Sequence, residues 1–329
     1  MSDMKLASII VPVYNVQECL DGVLSALLKQ THLSWEAILI DDGSTDGSGK
    51  ICDEWCRRNS RFRVVHLKNG GVANARNQGL TLATGEFVTF CDSDDYYEPN
   101  FLETLFDIHE KSQADLSVAS VYVDTNGQSC VHSLPLEGDL EQSQFSSILN
   151  NWFDITWMGL WNKLFKTSIL RQHQIHFPTG LSLGEDSLFI LEYLRHCDRV
   201  SCKDIPIYHY VQRNIGSLTH GFNPDTLRGH DLVAAKLLEL AKEFQCPIEE
   251  LQKNCHVRRS QALGTFFYSA MMSGRVGESR RREIYQMLRE SVAEREWLRS
   301  HGGFTNKVMS SAPYGICKAY FRLLKMFRR

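Results

Sequence analysis

Long apolar runs are missing from this chain of 329 residues: no stretch approaches the roughly 20 residues needed to cross a bilayer. The opening Met1-Ser2-Asp3-Met4-Lys5 passes straight into a strand-like run. It lacks a basic segment followed by an apolar stretch and a small-residue cleavage site, so no secretion signal is expected. An excess of positive charge is missing too. Lys and Arg number 36 against 39 Asp and Glu, a formal charge of -3, which gives no reason to expect nucleic acid as a partner. Internal repeats and low-complexity tracts are absent. Ten cysteines are scattered along the chain, several inside apolar segments such as those around Cys91 and Cys317, and Cys52 and Cys56 lie four apart on an expected helix. None has the further Cys or His at short spacing that a zinc site requires, so reduced thiols in a cytoplasmic protein are expected. The fingerprint G-x-G-x-x-G is missing after the first strand, where Pro12-Val13-Tyr14-Asn15 stands instead, which counts against a nicotinamide dehydrogenase.

What is present describes an ordinary globular protein. Apolar residues make up 43% and charged residues 23%, and the length allows a sizeable core in two packed units. The first third alternates buried-strand runs (Ala7–Val13, Ala37–Ile40, Arg63–His66, Phe87–Phe90) with helical patterns such as Cys19 to Gln30, where Leu20, Val23, Leu24, Leu27 and Leu28 recur. This order predicts an α/β fold with a doubly wound, largely parallel, Rossmann-like sheet and helices on both faces. Ligands in such sheets bind beyond the carboxyl ends of the strands. Polar clusters fall at those ends, after Val13, Ile40 and Phe90. The middle, from about Ser117 to Asn223, is less regular and rich in aromatics. Trp157 and Trp161, four apart, read as core packing. From about Pro224 the pattern is wholly helical, giving an expected division into residues 1–222 (itself 1–115 and 116–222) and a helical region 223–329.

Three clusters carry chemistry. Asp41-Asp42-Gly43-Ser44-Thr45-Asp46-Gly47-Ser48 follows the second strand. Ser44, Thr45 and Asp46 suit a helix cap and the glycines suit a turn. Two adjacent acids ending a buried strand need more than that, because unpaired buried charge is costly. A carboxylate there can accept the ring N–H of a pyrimidine base. Next, Asp92-Ser93-Asp94-Asp95 puts three carboxylates within four residues, which repel unless a cation or donors sit among them. Magnesium-like cations bind through one or two carboxylates plus substrate phosphates. A calcium loop fails because Tyr96 and Tyr97 occupy the following positions, and a solvated acidic loop is the bland alternative. Lys68-Asn69-Gly70-Gly71-Val72-Ala73-Asn74-Ala75-Arg76-Asn77 reads as a glycine turn entering a helix. Backbone N–H groups there suit anions, with Arg76 one turn in, although a plain surface helix fits equally.

Taken in order, Ile9-Ile10-Val11-Pro12-Val13-Tyr14-Asn15 and these three clusters resemble the inverting glycosyltransferases of family 2, bacterial cell-surface polysaccharide enzymes of the GT-A fold. The resemblance is strong over the first third and resumes at Trp161-Asn162-Lys163-Leu164-Phe165 and Gly184-Glu185-Asp186. It implies a metal-dependent, non-processive transfer of sugar from a nucleotide diphosphate donor, a UDP-sugar, to a hydroxyl of a glycan or lipid-linked glycan. It also implies roles. Tyr14 would stack on uracil, with Asp42 on its ring nitrogen. Asp92 would lie at the ribose or donor sugar, Asp94 would hold manganese or magnesium, and Asn69 and Arg76 would complete the donor site, to which Pro12 and Ser93 would also belong. Asp186 would be the general base. The segment Tyr208 to Ser217 resembles a loop that closes over the diphosphate in some relatives, bringing Arg213 and Ser217 to the donor, while His209 and Tyr210 read equally as strand residues.

Two other classes remain compatible with the sequence: a sugar nucleotidyltransferase and a non-catalytic nucleotide-sugar binding protein. A processive synthase is disfavoured, since membrane spans and a Gln-x-x-Arg-Trp motif are both missing. The expected location is cytoplasmic, with peripheral contact at the inner membrane face through the C-terminal helix. There Ile316, Tyr320, Leu323 and Phe327 fall on one side and Lys318, Arg322, Lys325 and Arg329 on the other.

Overall fold

The computed structural model describes residues 4–181, 183–212, 225–273, 277–290 and 304–327. Two compact units make up the chain. One comprises Met1–Gly180, Glu185–Gly216 and Glu243–Gln245, the other Leu181–Gly184, Ser217–Lys242 and Cys246–Arg329. The division is interleaved, where a single cut after residue 222 was expected.

In the first unit, strands β1 (Ala7–Val13), β2 (Trp35–Asp41), β3 (Phe62–His66) and β4 (Phe87–Phe90) alternate with helices α1 (Leu20–Leu28), α2 (Ser48–Arg58) and α3 (Val72–Leu82). The four strands pair in parallel in the order β3-β2-β1-β4. Their apolar runs are continuous because helices cover both faces of a parallel sheet. Ile9, Ile10, Val11, Ile38, Leu39 and Ile40 are all fully buried. Since the strands are parallel, Val13, Asp41, His66 and Phe90 end along one edge, and the loops that follow them meet there.

The rest of this unit is mixed. After β5 (Tyr96–Tyr97) and α4 (Phe101–Ser112) come β6 (Leu116–Thr125), β7 (Gln128–His132), β8 (Gly138–Glu141), α5 (Ser146–Asn150) and α6 (Ile155–Met158). Then follow β9 (Lys163–Lys166), α7 (Thr167–Gln172), α8 (Glu185–Arg195) and β10 (Arg199–Gln212). Strand β9 runs antiparallel to both β4 and β6, β6 and β10 are parallel, and β5 lies antiparallel on β10. The parallel reading therefore holds for the first half of the sheet, and β9 is the strand that reverses it. Tyr208 and His209 pair with Tyr97 and Tyr96, and Tyr210 to Gln212 pair with Val123 to Thr125. Chain that reads equally as a closing loop is thus sheet as far as Gln212. Arg213 and Ser217 lie outside the described residues. Trp157 and Trp161 are core residues, 0% and 6% exposed.

The second unit is helical, with α9 (Asp225–Glu243, whose last residue belongs to the first unit), α10 (Glu249–Ser273), α11 (Glu278–Glu290), α12 (Phe304–Ser311) and α13 (Tyr314–Phe327). Its core gathers Leu263, Phe267, Ile284, Leu288, Cys317 and Phe321. The side of α13 facing this core is centred on Cys317 and Phe321, and Tyr320 hydrogen-bonds Thr305. Ile316, expected on the apolar face, is 57% exposed, and Lys318 pairs with Glu278 at 2.8 Å. The packed side is therefore rotated from the expected one: of the four residues expected on the apolar face, Tyr320 packs within its own unit and Ile316 is exposed. The side chains of Leu323, Lys325 and Phe327 lie outside the described residues, as does Arg329. Among the described residues no helix is long and apolar enough to cross a membrane. All ten cysteines are free.

Candidate active site

The first two strand ends are laced together by their loops. Thr45 N–H donates to the Asn15 side-chain oxygen at 2.8 Å, Gly47 N–H to Gln17 at 2.7 Å, and Val16 N–H to the Ser48 hydroxyl at 2.9 Å. Asn15 takes φ 51°, a left-handed conformation that asparagine tolerates, and the neighbouring Tyr14 is 49% exposed. An aromatic standing free above a braced loop has the geometry of a stacking platform. Pro12 lies one step back in β1, paired with Ile40.

Both strand-end acids have partners inside the protein. Asp41 meets His66 Nδ1 at 2.7 Å and accepts from Ser44 N–H at 3.0 Å. Burial raises its carboxyl, but these hydrogen bonds outweigh burial and hold it below the usual range. Asp42, 3% exposed, accepts from the N–H groups of Gly70 and Gly71, each at 2.8 Å. The Asp42 carboxylate therefore also shapes the glycine turn, in addition to the base-recognition role expected of it. Its two oxygens keep further lone pairs for a second donor. Gly43, at φ +75°, is where the loops touch: a Cβ there would meet Asn69 N at 2.8 Å. Asn69 itself is exposed.

The acidic loop after β4 separates its three carboxylates by environment. Asp95, 3% exposed, accepts from the Tyr208 hydroxyl at 2.6 Å and from Val211 N–H at 2.9 Å. Burial, then repulsion from Asp92 and Asp94, pushes its carboxyl well above the ordinary range. Asp92 stays 29% exposed and Asp94 is half-buried, while Ser93 turns inward at 7% exposed. One acid anchors the loop, and two are left toward solvent.

The centre of the site is Arg76, from α3, only 4% exposed. One terminal nitrogen donates to Asp92 at 3.1 Å, and the other to Asp186 at 2.6 Å and to Glu185 at 3.4 Å. Helix α8 starts at Glu185, so both acids sit in its first turn. The segment before α8 is tied to α3. The Asn77 side chain donates to Phe177 C=O at 2.9 Å and accepts from Phe177 N–H at 2.8 Å, and the Phe177 ring stacks on Phe189 of α8 at 4.0 Å. A buried guanidinium thus joins the acidic loop to an acid pair whose Asp186 lies 110 residues beyond Arg76 in the chain. Burial, reinforced by Glu185 and Asp92 and opposed by Arg76, pushes Asp186 up to about 8.

Against this geometry stand the comparisons with known proteins. Residues 8–159 match the family described as glycosyl transferase family 2. Glycosyltransferase GlyG of Streptococcus pneumoniae is 43% identical over 229 residues, 64% of this chain and 72% of GlyG. The chain belongs to glycosyl transferase family 2. The uncharacterized glycosyltransferase EpsJ of Bacillus subtilis is 31% identical over 217 residues, 65% of this chain but only 63% of EpsJ. In fold, this glycosyltransferase is similar to the 1–349 portion of Staphylococcus aureus TarS in complex with UDP-GlcNAc, with TM-score 0.64, 22% identity and coverage of 99% of this chain and 92% of that portion.

Three residues of the glycosyltransferase are important to the site without having drawn notice as functional positions. Asn77 and Phe177 position α8, and the two-sided amide clamp has no signature beyond the Arg-Asn pair. Lys163, fully buried, donates to the carbonyls of Thr156 and Gly159 and to Asn162 Oδ1. It caps the short helix α6, and burial pushes its amine down to about 7.

Proposed function

We propose that the chain transfers the sugar of a UDP-linked donor to a hydroxyl of a glycan or lipid-linked glycan, in one displacement that inverts the anomeric centre. The observation that carries this reading is Arg76 holding Asp92, on the donor loop, and Asp186, at the start of α8, on its two terminal nitrogens. A donor-side carboxylate and a base are then held on one guanidinium, close together as single displacement requires. Asp186 takes the proton of the acceptor hydroxyl as that oxygen attacks the anomeric carbon from the side opposite the diphosphate. Tyr14 and Asp42 receive the uracil, and Arg76 fixes the acids. Similarity to relatives that are named glycosyltransferases, and to TarS described with UDP-GlcNAc, supports the donor class. Incubation with UDP-sugars and a glycan acceptor should release UDP and give a product of inverted anomeric configuration by NMR. Pyrophosphate with a new sugar nucleotide would instead make it a nucleotidyltransferase, and binding without turnover a binding protein.

The acidic loop fits a divalent cation, manganese or magnesium, as part of a substrate complex. Among the described residues no three His, Cys, Asp or Glu side chains form a protein-only cage. Asp95 is engaged by Tyr208 and Val211, leaving Asp94 with Asp92 as the carboxylates for a cation that completes its shell with phosphate oxygens. When bound, such a cation neutralises charge on the leaving diphosphate. Calorimetry with a UDP-sugar should show affinity falling by about tenfold or more on chelation, and likewise in Asp94→Ala. Equal affinity with and without cation overturns the assignment.

The elevated Asp186 carboxyl sets a pH dependence. The base works deprotonated, so kcat/KM should rise with pH, with its inflection near pH 8, where Asp186 has been pushed, and level off above it. Removing a negative neighbour lowers the pKa of an acid, so Glu185→Gln should move that inflection to lower pH. A profile whose inflection is the same in Glu185→Gln would separate the two acids and remove Asp186 as the titrating group.

A further inference from the structure

Tyr210 is on β10, two residues beyond Tyr208 and therefore on the same face of the strand, about 6.8 Å further along. Both rings stack on Trp161: Tyr208 at 4.8 Å with planes 6° apart, and Tyr210 at 5.6 Å with planes 14° apart. The two tyrosines nevertheless have different surroundings. Tyr208 is fully buried and its hydroxyl is used up on Asp95. Tyr210 is only half-buried, and among the described residues its hydroxyl has no hydrogen-bond partner. Its immediate neighbour Val211 gives its N–H to Asp95, which fixes this stretch of strand against the acidic loop at 2.9 Å. Burial raises the Tyr210 phenol, and the charges that add to it are Asp95, Asp92 and Asp94. The bond from Val211 N–H to Asp95 and the stack on Trp161 place Tyr210 on the side of the acidic loop.

We infer that Tyr210 is a donor-sugar contact that helps set which sugar is accepted, resting on the reading that the acidic loop holds the donor diphosphate. Trp161 backs one face of the Tyr210 ring, and the bond from Val211 N–H to Asp95 fixes the strand that carries it beside the acidic loop. Such a ring packs against the C–H face of a pyranose, and the hydroxyl distinguishes sugars by their ring substituents. A polar contact of this kind discriminates more strongly than added apolar bulk does, because a mismatched sugar leaves a polar group unpaired. The glycine turn addresses parts that all UDP-sugars share, so the choice of sugar falls to side chains beside the acidic loop.

The test uses the full chain with UDP, UDP-N-acetylglucosamine and UDP-glucose. Tyr210→Phe keeps the stack on Trp161 and removes only the hydroxyl, and Tyr210→Ala removes both. UDP affinity should stay within about twofold in both variants, since UDP carries no sugar. The ratio of kcat/KM for the two sugars should change by about fivefold or more in Tyr210→Phe, with the better donor losing most. Its KM should rise about tenfold in Tyr210→Ala, which thermal melting must show to be folded. If Tyr210→Phe keeps the wild-type ratio, Tyr210 is a packing residue and the inference is wrong. If the wild-type chain binds UDP but uses neither sugar, the inference stands or falls on sugar-nucleotide affinities measured in the same three proteins. If it binds no uridine nucleotide, the underlying reading fails instead and the inference falls with it.

Discussion

Asp186→Asn should lower sugar transfer by about 100-fold or more while UDP-sugar affinity stays within about twofold. Asparagine matches aspartate in size, and its amide oxygen can still accept from Arg76, which holds Asp186 at 2.6 Å. What it loses is the ability to take a proton. A structural role would survive this change, because Asn serves nearly as well as Asp near a helix start. Steady-state rates with calorimetric donor affinities in the same variant therefore separate the two roles. Near-wild-type transfer by Asp186→Asn would pass the role to Glu185, which shares the first turn of α8 and reaches the same Arg76 nitrogen at 3.4 Å. Glu185→Gln would then carry the large loss.

Arg76→Ala should damage folding as well as activity. The guanidinium is 4% exposed and is the shared cation of three carboxylates, Asp92, Glu185 and Asp186. Removing it leaves those acids close together in a partly dry site, a change that costs about 3–5 kcal/mol in other buried ion pairs. For a unit of this size each kcal/mol lowers Tm by about 2–4 °C, so a fall on the order of 10 °C is expected. Neutralising the acids should recover part of that loss. The double variant Arg76→Ala, Asp186→Asn should melt higher than Arg76→Ala alone, although it will be inactive. A fall of less than about 2 °C in Arg76→Ala would show that solvent screens the cluster, and that Arg76 is free to serve the donor diphosphate directly. Arg76→Lys is the subtler probe, since it keeps the charge but cannot hold Asp92 and Asp186 on two nitrogens at once.

The placement of Arg76 also shows where sequence reasoning runs out. Its distance of one turn into a helix after a glycine turn suggested a side chain facing a diphosphate. The structure gives its terminal nitrogens to carboxylates instead. Two of those acids come from a helix more than 100 residues away, and no local spacing reports such a meeting. The strand-end acids teach the same lesson. Asp41 and Asp42 looked short of partners because His66, Gly70 and Gly71 become their neighbours only when β2, β3 and the glycine turn converge at one sheet edge. In α13 the periodicity correctly marked an amphipathic helix. Which side turns inward depended on the helices around it, and Cys317 and Phe321 won over Ile316.

Some features were legible because they are local. The apolar runs at Ala7–Val13 and Phe87–Phe90 match β1 and β4 residue for residue, since a strand buried on both faces needs continuous hydrophobicity and its ends are marked by polar loops. The alternation of those runs with helical periods required parallel pairing, and parallel pairing brought the loops after Val13, Asp41 and Phe90 to one edge. The ordered motifs on those loops, with Glu185-Asp186 far downstream, were enough to indicate the family. Tertiary structure alone decided how the acids are shared out: Asp95 sealed under Tyr208 and Val211, Asp92 and Asp94 left toward solvent, Asp186 pushed up to about 8 beside Arg76. Charge, burial and proton affinity depend on what lies within a few ångströms in space, and residues distant along the chain supply most of it.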